Sequence, residues 1–219
     1  MRAHNIVASL REAISAGRYA PGQKLNEEVL SAEYGVSRNT LREAFGTLEG
    51  EQLVTRVLYR GVFIVSPDAD DIRDLFAARE MIEPAVLLWG EHLDVDALAA
   101  VVSRARAAES AGDVRGVADA NQEFHRLLVA SAGSPSLSEI MDQLLARMRL
   151  VFLRVLAHQP DFHDPYIDVN EKVTDLLRAG DRAAAAETLQ ESLGRTREDV
   201  AERVSLLPPS GDESRSGWL

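Results

Sequence analysis

The sequence predicts a mainly α protein of two domains, with one β-rich stretch at the end of the first domain. Apolar residues recur at three- and four-residue spacing along most of its 219 residues, as amphipathic helices require. Two runs rich in β-branched residues, 53–57 and 61–65, interrupt that pattern once. The charge balance changes there as well: residues 1–66 hold 8 basic and 7 acidic residues, whereas the remainder holds 16 and 28.

The first two helices are predicted from their apolar spacing and their end signals. The apolar stripe of the first helix consists of Ile6, Val7, Leu10 and Ile14. Gly17 is expected to end that helix. Asn26 is a good N-cap for a short second helix, whose Glu27 and Glu28 suit the positive end of the helix dipole. Gly35 suits the left-handed conformation of a tight turn before a third helix.

The third helix is predicted to begin after the N-cap Ser37 and to separate apolar from polar side chains. Its apolar face consists of Leu41, Ala44, Phe45 and Leu48. Its exposed face consists of Arg38, Asn39, Arg42 and Glu43. Arginine can bind guanine O6 and N7 through two hydrogen bonds, and asparagine can bind adenine N6 and N7 in the same way. The second helix, the tight glycine turn and this third helix together predict a helix-turn-helix motif. Its recognition helix, the third helix of the chain, is expected to enter the DNA major groove.

The two β-rich runs are predicted to form a two-stranded wing beside this motif. The connection Leu58-Tyr59-Arg60 joins them, and we expect Arg60 and Gly61 at the tip with Arg56 beside it. A glycine there lets the backbone approach the sugar-phosphate rim. An arginine can bind phosphates or enter the minor groove, where the potential is most negative.

The charge distribution bounds the function. The overall charge is −11, but residues 1–66 carry +1, so the acidity belongs to the second domain. A near-neutral module cannot hold DNA by charge alone, so we expect two copies to bind together with an affinity that falls with salt.

With no apolar run long enough to cross a bilayer and no signal-peptide core, neither a membrane span nor export is expected. With no cysteine, disulfides and thiolate metal sites are excluded and a cytoplasmic location is expected.

Motifs between positions 17 and 61, in order and at matching spacing, closely resemble the winged helix-turn-helix of GntR-family bacterial repressors. The motifs are Gly17-Arg-Tyr-Ala-Pro-Gly-Gln-Lys-Leu-Asn-Glu-Glu, Tyr34-Gly-Val-Ser-Arg, Leu41-Arg-Glu-Ala, Leu48-Glu, Leu53-Val and Arg60-Gly61. The resemblance implies that residues 1–66 bind DNA, with contacts from Ser37, Arg38, Asn39, Thr40, Arg42 and Gly61. The wing arginines Arg56 and Arg60 complete the candidate set. Glu28 stands where some relatives place a basic contact, so that contact is expected to be missing here.

Residues 67–207 are predicted to form an all-α helical bundle. The first helix opens at Asp70 or Asp71 and is expected to kink at Pro84. Further helices are expected over about 95–110, 114–132, 136–158, 167–179 and from Gly180-Asp181 to about Leu206, with Ser136 as a cap. The polar tail, residues 208–219, is expected to be disordered.

This half resembles the all-helical effector domain of the FadR-type branch of the same family. The motifs that carry the resemblance are Arg79 and Glu83, Phe124-His125 and Gly180-Asp181. Many members hold a divalent metal there through an aspartate and three histidines. This chain has Asn121, Asn170 and Ser192 at three of those four positions and keeps only His125, so no metal cofactor is expected.

The same positions support two interpretations. Arg79, Asn121, His125, Asn170 and Ser192 can line a polar pocket for a small organic acid whose carboxylate binds Arg79. Alternatively, His125 is a satisfied core histidine and Arg79 only pairs with Glu83 one turn away. His158 and His163 lie in a proline-containing loop and are expected to be solvated.

The leading hypothesis is a ligand-responsive transcription regulator, a repressor, that binds a short inverted repeat in double-stranded DNA as a homodimer. A second hypothesis is a constitutive dimeric regulator whose pocket is vestigial. A third is a metal-dependent enzyme. The missing metal ligands and the absence of a nucleophile–base spacing or a glycine-rich phosphate loop speak against the enzyme.

Overall fold

The computed structural model describes residues 2–156, 158–159 and 164–207. These residues pack as two compact units. The first contains the residues up to Asp68 together with Ala146–Arg154, and the second contains Ala69–Leu145 and Val155–Ser205. The predicted tail at 208–219 and His163 lie outside the described residues.

Three helices with the predicted end signals build the first unit: α1 (Arg2–Ser15), α2 (Glu27–Tyr34) and α3 (Arg38–Gly50). The side chain of Asn26 accepts hydrogen bonds from the first turn of α2, and Ser37 accepts one from the N–H of Thr40. Gly35 ends α2 with a φ of 62°, the left-handed conformation that a glycine adopts without strain. The predicted helix-turn-helix is therefore confirmed, caps included.

The wing has one more strand than predicted. Strands β1 (Lys24–Leu25), β2 (Val54–Val57) and β3 (Gly61–Ile64) form an antiparallel sheet in the order β1-β3-β2. Val57 pairs with Gly61 in the hairpin, and Lys24 pairs with Phe63 on the other side of β3. A strand of two residues is too short for an alternating pattern to reveal. The predicted two-stranded wing is therefore present as the β2–β3 hairpin, and β1 adds a third strand that the sequence did not predict.

The core of the first unit includes a segment that lies far away in sequence. It consists mainly of apolar side chains from α1, α3 and the sheet, among them Leu10, Ile14, Leu41, Phe45, Leu48 and Ile64. Ala146 and Leu150, on the segment 146–154, are buried in the same core. Arg149 Nε on that segment donates to the carbonyl of Ser15 at 2.9 Å. No local pattern in the sequence of the DNA-binding domain indicates this partner.

The second unit is all helical, as predicted. Its helices are α4 (Ala69–Trp89), α5 (Val95–Ser110), α6 (Val114–Ala130), α7 (Pro135–Leu156), α8 (Asp164–Arg178) and α9 (Arg182–Ser205), and α7 also supplies the segment 146–154. Helix α4 packs most extensively on α9, α5 packs on α6, and α8 contacts both α5 and α9. None of the described helices is both long and apolar enough to cross a membrane.

Several helix ends differ from their predicted positions. Helix α7 begins at Pro135 because Ser134, rather than Ser136, accepts the capping hydrogen bond, from the N–H of Leu137 at 3.3 Å. Proline suits the first turn of a helix because the N–H groups of that turn have no acceptor within the helix, so the absence of one costs nothing there. Helix α8 begins at Asp164, three residues earlier than predicted. Helix α4 continues through Pro84, as expected of a proline inside the helix, and the predicted kink stays a prediction.

Candidate DNA interface and buried polar cluster

The outer face of α3 presents the side chains that the sequence predicted as base contacts. Arg38 and Arg42 keep 59% and 60% of their side chains exposed, and Ser37 and Asn39 are exposed beside them, whereas Thr40 is half-buried. The opposite face is fully buried through Leu41, Ala44, Phe45 and Leu48. The amphipathic arrangement of α3 is therefore as predicted, and both guanidinium groups lie outside the protein interior.

Three of these polar side chains, Arg38, Asn39 and Arg42, each contact a carboxylate of the same unit. Arg42 Nε donates to Glu27 Oε2 at 2.9 Å, and Arg38 Nη2 lies 3.3 Å from Glu28 Oε2. Asn39 Nδ2 donates to Glu43 Oε1 at 2.8 Å. Sequence reasoning explained Glu27 and Glu28 through the dipole of α2 and also noted Glu28 as the position of a missing basic contact, but it did not pair them with the arginines of α3. Their place one helix away from the arginines depends on the angle of the turn between α2 and α3.

Arg56 connects the wing to the recognition helix. Its Nη2 donates to the backbone carbonyl of Arg42 at 2.8 Å, and its Nε lies 3.2 Å from Glu49 Oε2. Glu49 also accepts a hydrogen bond from the backbone N–H of Arg56. The guanidinium thus fixes β2 against α3, a positioning role that sequence reasoning missed when it grouped Arg56 with the DNA contacts.

The wing tip is the turn over 58–60, which contains Arg60 as expected, whereas Gly61 is the first residue of β3. Leu58 and Tyr59 of this turn keep 78% and 98% of their surface exposed, and Tyr59 has a φ of 60°. The guanidinium of Arg60 lies over the ring of Phe63, 5.7 Å from its centroid. Gly61 has a φ of 112°, which only glycine adopts readily.

One basic residue beside the wing was not predicted. The exposed Lys24 of β1 lies next to Gly61, where a Cβ would be 3.2 Å from the Cε of Lys24. Lys24 was missed because the two-residue strand that carries it was missed. In the sequence, Lys24 is distinguished only by its position two residues before the N-cap Asn26.

A buried ionic cluster joins α4 to α6 in the second unit. Glu83 is fully buried, and its Oε1 accepts a 2.7 Å hydrogen bond from Arg79 Nε. Its Oε2 lies 2.7 Å from Nδ1 of His125, which is also buried. Burial alone opposes ionisation of Glu83, but the charge of Arg79 and the hydrogen bonds from Arg79 and His125 outweigh it and lower the pKa of Glu83 to about 2.

The imidazole of His125 is held in its neutral form. Burial lowers its pKa below the ordinary value, although the Glu83 carboxylate partly opposes that shift. A neutral imidazole beside an ionised carboxylate carries its proton on Nδ1, and this N–H donates a hydrogen bond to Glu83. These contacts are those of the alternative interpretation: Arg79 pairs with Glu83, and His125 is a buried, hydrogen-bonded histidine.

The remaining predicted pocket residues are also buried. Asn170 Nδ2 donates to Asn121 Oδ1 at 2.9 Å, and Ser192 is buried on α9. A cavity of about 10 Å³ adjoins the two amides between α5, α6 and α8. That is the space of about one water molecule. The helices around it must separate before an organic acid can enter there.

These residues do not fit a divalent transition metal. Both carboxylate oxygens of Glu83 are already bound by Arg79 and His125, and the two amides bind each other. Neutral amide oxygens and a hydroxyl are poor ligands for zinc or nickel. Within the described ranges, no three His, Cys, Asp or Glu side chains are grouped as a metal would need.

One atom of the cluster has no partner among the described residues. Arg79 Nη2 is buried and makes no hydrogen bond there, while the guanidinium lies over the ring of Phe76 at 5.3 Å. An unpaired buried N–H donor is costly, because it has lost water without gaining an acceptor. An acceptor supplied by a bound molecule would remove that cost.

An exposed helix-turn-helix with a wing, joined to an all-helical bundle, defines a DNA-binding transcription regulator. The model of bacterial regulatory proteins of the gntR family matches residues 2–64, and the FCD domain model matches residues 74–195. This chain therefore belongs to the GntR family and carries a C-terminal FCD domain.

Relatives along most of the chain are regulators of the same kind. The HTH-type transcriptional repressor GlaR of Escherichia coli is 28% identical over 84% of this chain and 89% of its own length. The HTH-type regulator BphR of Paraburkholderia xenovorans is 30% identical over 77% and 78%. A GntR regulator structure from Rhodococcus sp. RHA1 has a TM-score of 0.83 at 33% identity, covering 92% of this chain and 98% of that one. E. coli McbR/YncC shares the fold, with a TM-score of 0.78 at 21% identity, over 93% and 98%.

Proposed function

We propose that this regulator acts as a homodimeric repressor of the FadR-type branch and binds a short inverted repeat in double-stranded DNA. The observation that carries the proposal is the pair of exposed guanidinium groups, Arg38 and Arg42, on a capped helix beside a wing. The names of relatives support repression: GlaR and the galactonate operon repressor of E. coli are both repressors. A two-fold dimer reads two equivalent half-sites, and the regulator works in the cytoplasm, where the chromosome is.

The proposed DNA contacts are made by α3 and the wing. Arg38, Asn39 and Arg42 bind base edges; Ser37, Thr40 and Gly61 bind the backbone, with Arg60 near the minor groove. Arg56 contributes by holding the wing in place. The proposal assigns no catalytic residue and no metal to the chain, since the buried donors suit neither.

The DNA contacts are tested by fluorescence anisotropy on a duplex selected from a random pool by the wild-type protein. We expect Arg38→Ala and Arg42→Ala each to weaken binding to that duplex about 10-fold or more, which corresponds to one lost bidentate base contact. Arg18→Ala is the matched control, because Arg18 is 57% exposed and paired with Glu33 in the same unit but lies outside α3. Equal binding to every duplex, unchanged by the α3 variants, would overturn the proposal.

We also propose that a small organic acid regulates DNA binding through the FCD domain. Its carboxylate binds Arg79 Nη2, the buried donor that lacks a partner among the described residues, with Asn121, His125, Asn170 and Ser192 around it. The ligand shifts the protein only if it binds one arrangement of the dimer better than the other. A thermal-shift series with mono- and dicarboxylates tests this: we expect stabilisation of wild type and its loss in Arg79→Lys, which keeps the charge but not the fork.

A second candidate function is constitutive regulation with a closed FCD domain. It is favoured by the size of the cavity, about 10 Å³, and by the hydrogen bond between Asn121 and Asn170. In that case none of the added mono- and dicarboxylates raises the melting temperature of the protein. DNA binding is then the same with and without these ligands. The thermal-shift series therefore separates the two.

A further inference from the structure

Two acidic residues on α2 occupy the surface from which α3 faces DNA. Glu27 and Glu28 form the first turn of α2, directly after the cap Asn26. Glu27 binds Arg42 at 2.9 Å and Glu28 lies 3.3 Å from Arg38. Both arginines of the proposed base-contacting face are thus paired with a neighbouring helix in the protein without DNA.

These carboxylates cannot be explained as a major source of stability. Arg38 and Arg42 keep 59% and 60% of their side chains exposed, against 79% for Glu28 and 30% for Glu27, and ion pairs with so exposed a partner contribute little to folding. The pair Arg18–Glu33, by contrast, includes no residue of α3. Glu27 and Glu28 instead neutralise the two cations that a DNA duplex would meet first.

The first helix of such a motif crosses the DNA backbone at its end nearest the groove. A helix N-terminus there ordinarily attracts phosphate through its free N–H groups and dipole. Here the N-terminal turn carries two carboxylates, which repel phosphate and compete with it for the arginines. Binding to an arbitrary sequence must therefore break two ion pairs and place two negative charges near the backbone.

We infer that Glu27 and Glu28 are specificity-determining residues that suppress binding to non-operator DNA. An arginine leaves its carboxylate only where a guanine offers O6 and N7 together, a better partner than a single phosphate oxygen. The inference rests on the proposed function, because it needs Arg38 and Arg42 to be base contacts. It explains how a unit with a net charge of only +1 over residues 1–66 discriminates among sequences.

The test compares Glu27→Gln and Glu28→Gln with Glu33→Gln in the full-length protein. Glu33 is the matched control, since it also lies on α2 and is paired with an exposed arginine, Arg18, at 2.7 Å. Each variant is titrated by anisotropy against the selected duplex and against a scrambled duplex of equal length and composition. A thermal melt of each variant checks that the fold is retained.

We expect each of Glu27→Gln and Glu28→Gln to bind the scrambled duplex about 10-fold more tightly, with a smaller gain on the selected duplex. The slope of log affinity against log salt on the scrambled duplex should steepen by up to about 0.9 for each carboxylate removed. Glu33→Gln should change both duplexes equally and by less. The effect of Glu27→Gln should be smaller in an Arg42→Ala background, where only the repulsion between the carboxylate and phosphate is left to remove.

Failure of the inference is distinguishable from failure of the proposed function. If Arg38→Ala and Arg42→Ala lose selected-duplex binding but the glutamate variants match Glu33→Gln, the inference is wrong and the proposed function stands. Weaker binding of the glutamine variants to the selected duplex would also overturn it, since the carboxylates would then be contacts to DNA. If the arginine variants have no effect, both fail.

Discussion

Arg79 Nε donates a 2.7 Å hydrogen bond to Oε1 of Glu83, one helical turn further along α4, and neither side chain is more than 4% exposed. The second carboxylate oxygen is bound by His125 on α6. A single carboxylate therefore compensates a buried guanidinium and orients a buried imidazole. The cluster links α4 to α6 and leaves Arg79 Nη2 without a hydrogen-bond partner among the described residues.

Glu83→Gln should strongly destabilise the protein. The variant leaves the guanidinium of Arg79 buried without an opposite charge, a change that costs about 3–5 kcal/mol in other buried pairs. Urea unfolding measures this loss of unfolding free energy, with Glu191→Gln as the control. Glu191 pairs with Arg195 at the same i,i+4 spacing but is 61% exposed, so its loss should cost under about 0.5 kcal/mol. Equal effects of the two variants would contradict the cluster's role.

Stability should fall with acid in two steps. Burial lowers the pKa of His125 below 6.5, so beneath that pH the unfolded chain binds a proton that the folded protein does not, and folding becomes less favourable. The pKa of Glu83 is lowered from 4.5 to about 2, so its contribution is present above pH 4.5 and is lost as the pH falls toward 2.

The first step is assigned to His125 by substitution. His125→Gln keeps a neutral N–H donor for Glu83 but has no proton to gain, so it should lose less stability than wild type between pH 7 and 5.5. Urea unfolding at several pH values measures the difference. His92→Gln, at an exposed position, is the control for removing a histidine. An unchanged pH dependence in His125→Gln would show that the acid sensitivity lies elsewhere.

Metal removal should leave the FCD domain unchanged. The donors at the family's metal positions are one imidazole that binds Glu83 and two amides that bind each other. We expect the same melting temperature in chelator and in excess zinc or nickel, because an ion that does not bind the folded state cannot stabilise it. Asn121→Asp restores a carboxylate four residues before His125 and is the comparison variant. A rise of several degrees in wild type with metal would contradict this.

The features predicted correctly are those set by neighbouring residues. Ser37 and Asn26 cap their helices and Gly35 turns the chain because each acts within three residues of its own position. The amphipathic face of α3 follows in the same way from its 3.6-residue period. The candidate DNA surface could therefore be located from the sequence, down to the exposed arginines.

The features that were missed depend on contacts between distant residues. Leu150 enters the core of the first unit from α7, far along the chain, and no period in the sequence reports that. The pairing of Arg42 with Glu27 depends on the angle between two helices. Asn121 and Asn170 were correctly expected to be near each other, but only packing decides that they hydrogen-bond and leave little space between them.

Arg56 should stabilise the first unit more than an exposed arginine does. Its guanidinium donates a hydrogen bond to the carbonyl of Arg42 and forms an ion pair with Glu49, so Arg56→Ala removes one charge-assisted hydrogen bond and one ion pair. We expect the free energy of unfolding to fall by about 1–2 kcal/mol. This is less than the same contacts would contribute in a fully buried site, because the side chain of Arg56 is 44% exposed. Arg18→Ala, with one surface partner, should lose under about 1 kcal/mol. Equal losses would contradict the positioning role.

Lys24 should contact DNA phosphate beside the wing. It lies on β1 next to Gly61, which is proposed to approach the backbone, and its ammonium is a point charge without base specificity. Lys24→Gln should weaken binding to the selected and scrambled duplexes by the same factor and reduce the salt slope by about 0.9 for each protomer. Lys172→Gln is the matched control, since Lys172 is the chain's only other lysine and lies exposed on α8. If Lys24→Gln and Lys172→Gln have the same salt slope, Lys24 makes no phosphate contact and β1 serves only to complete the sheet.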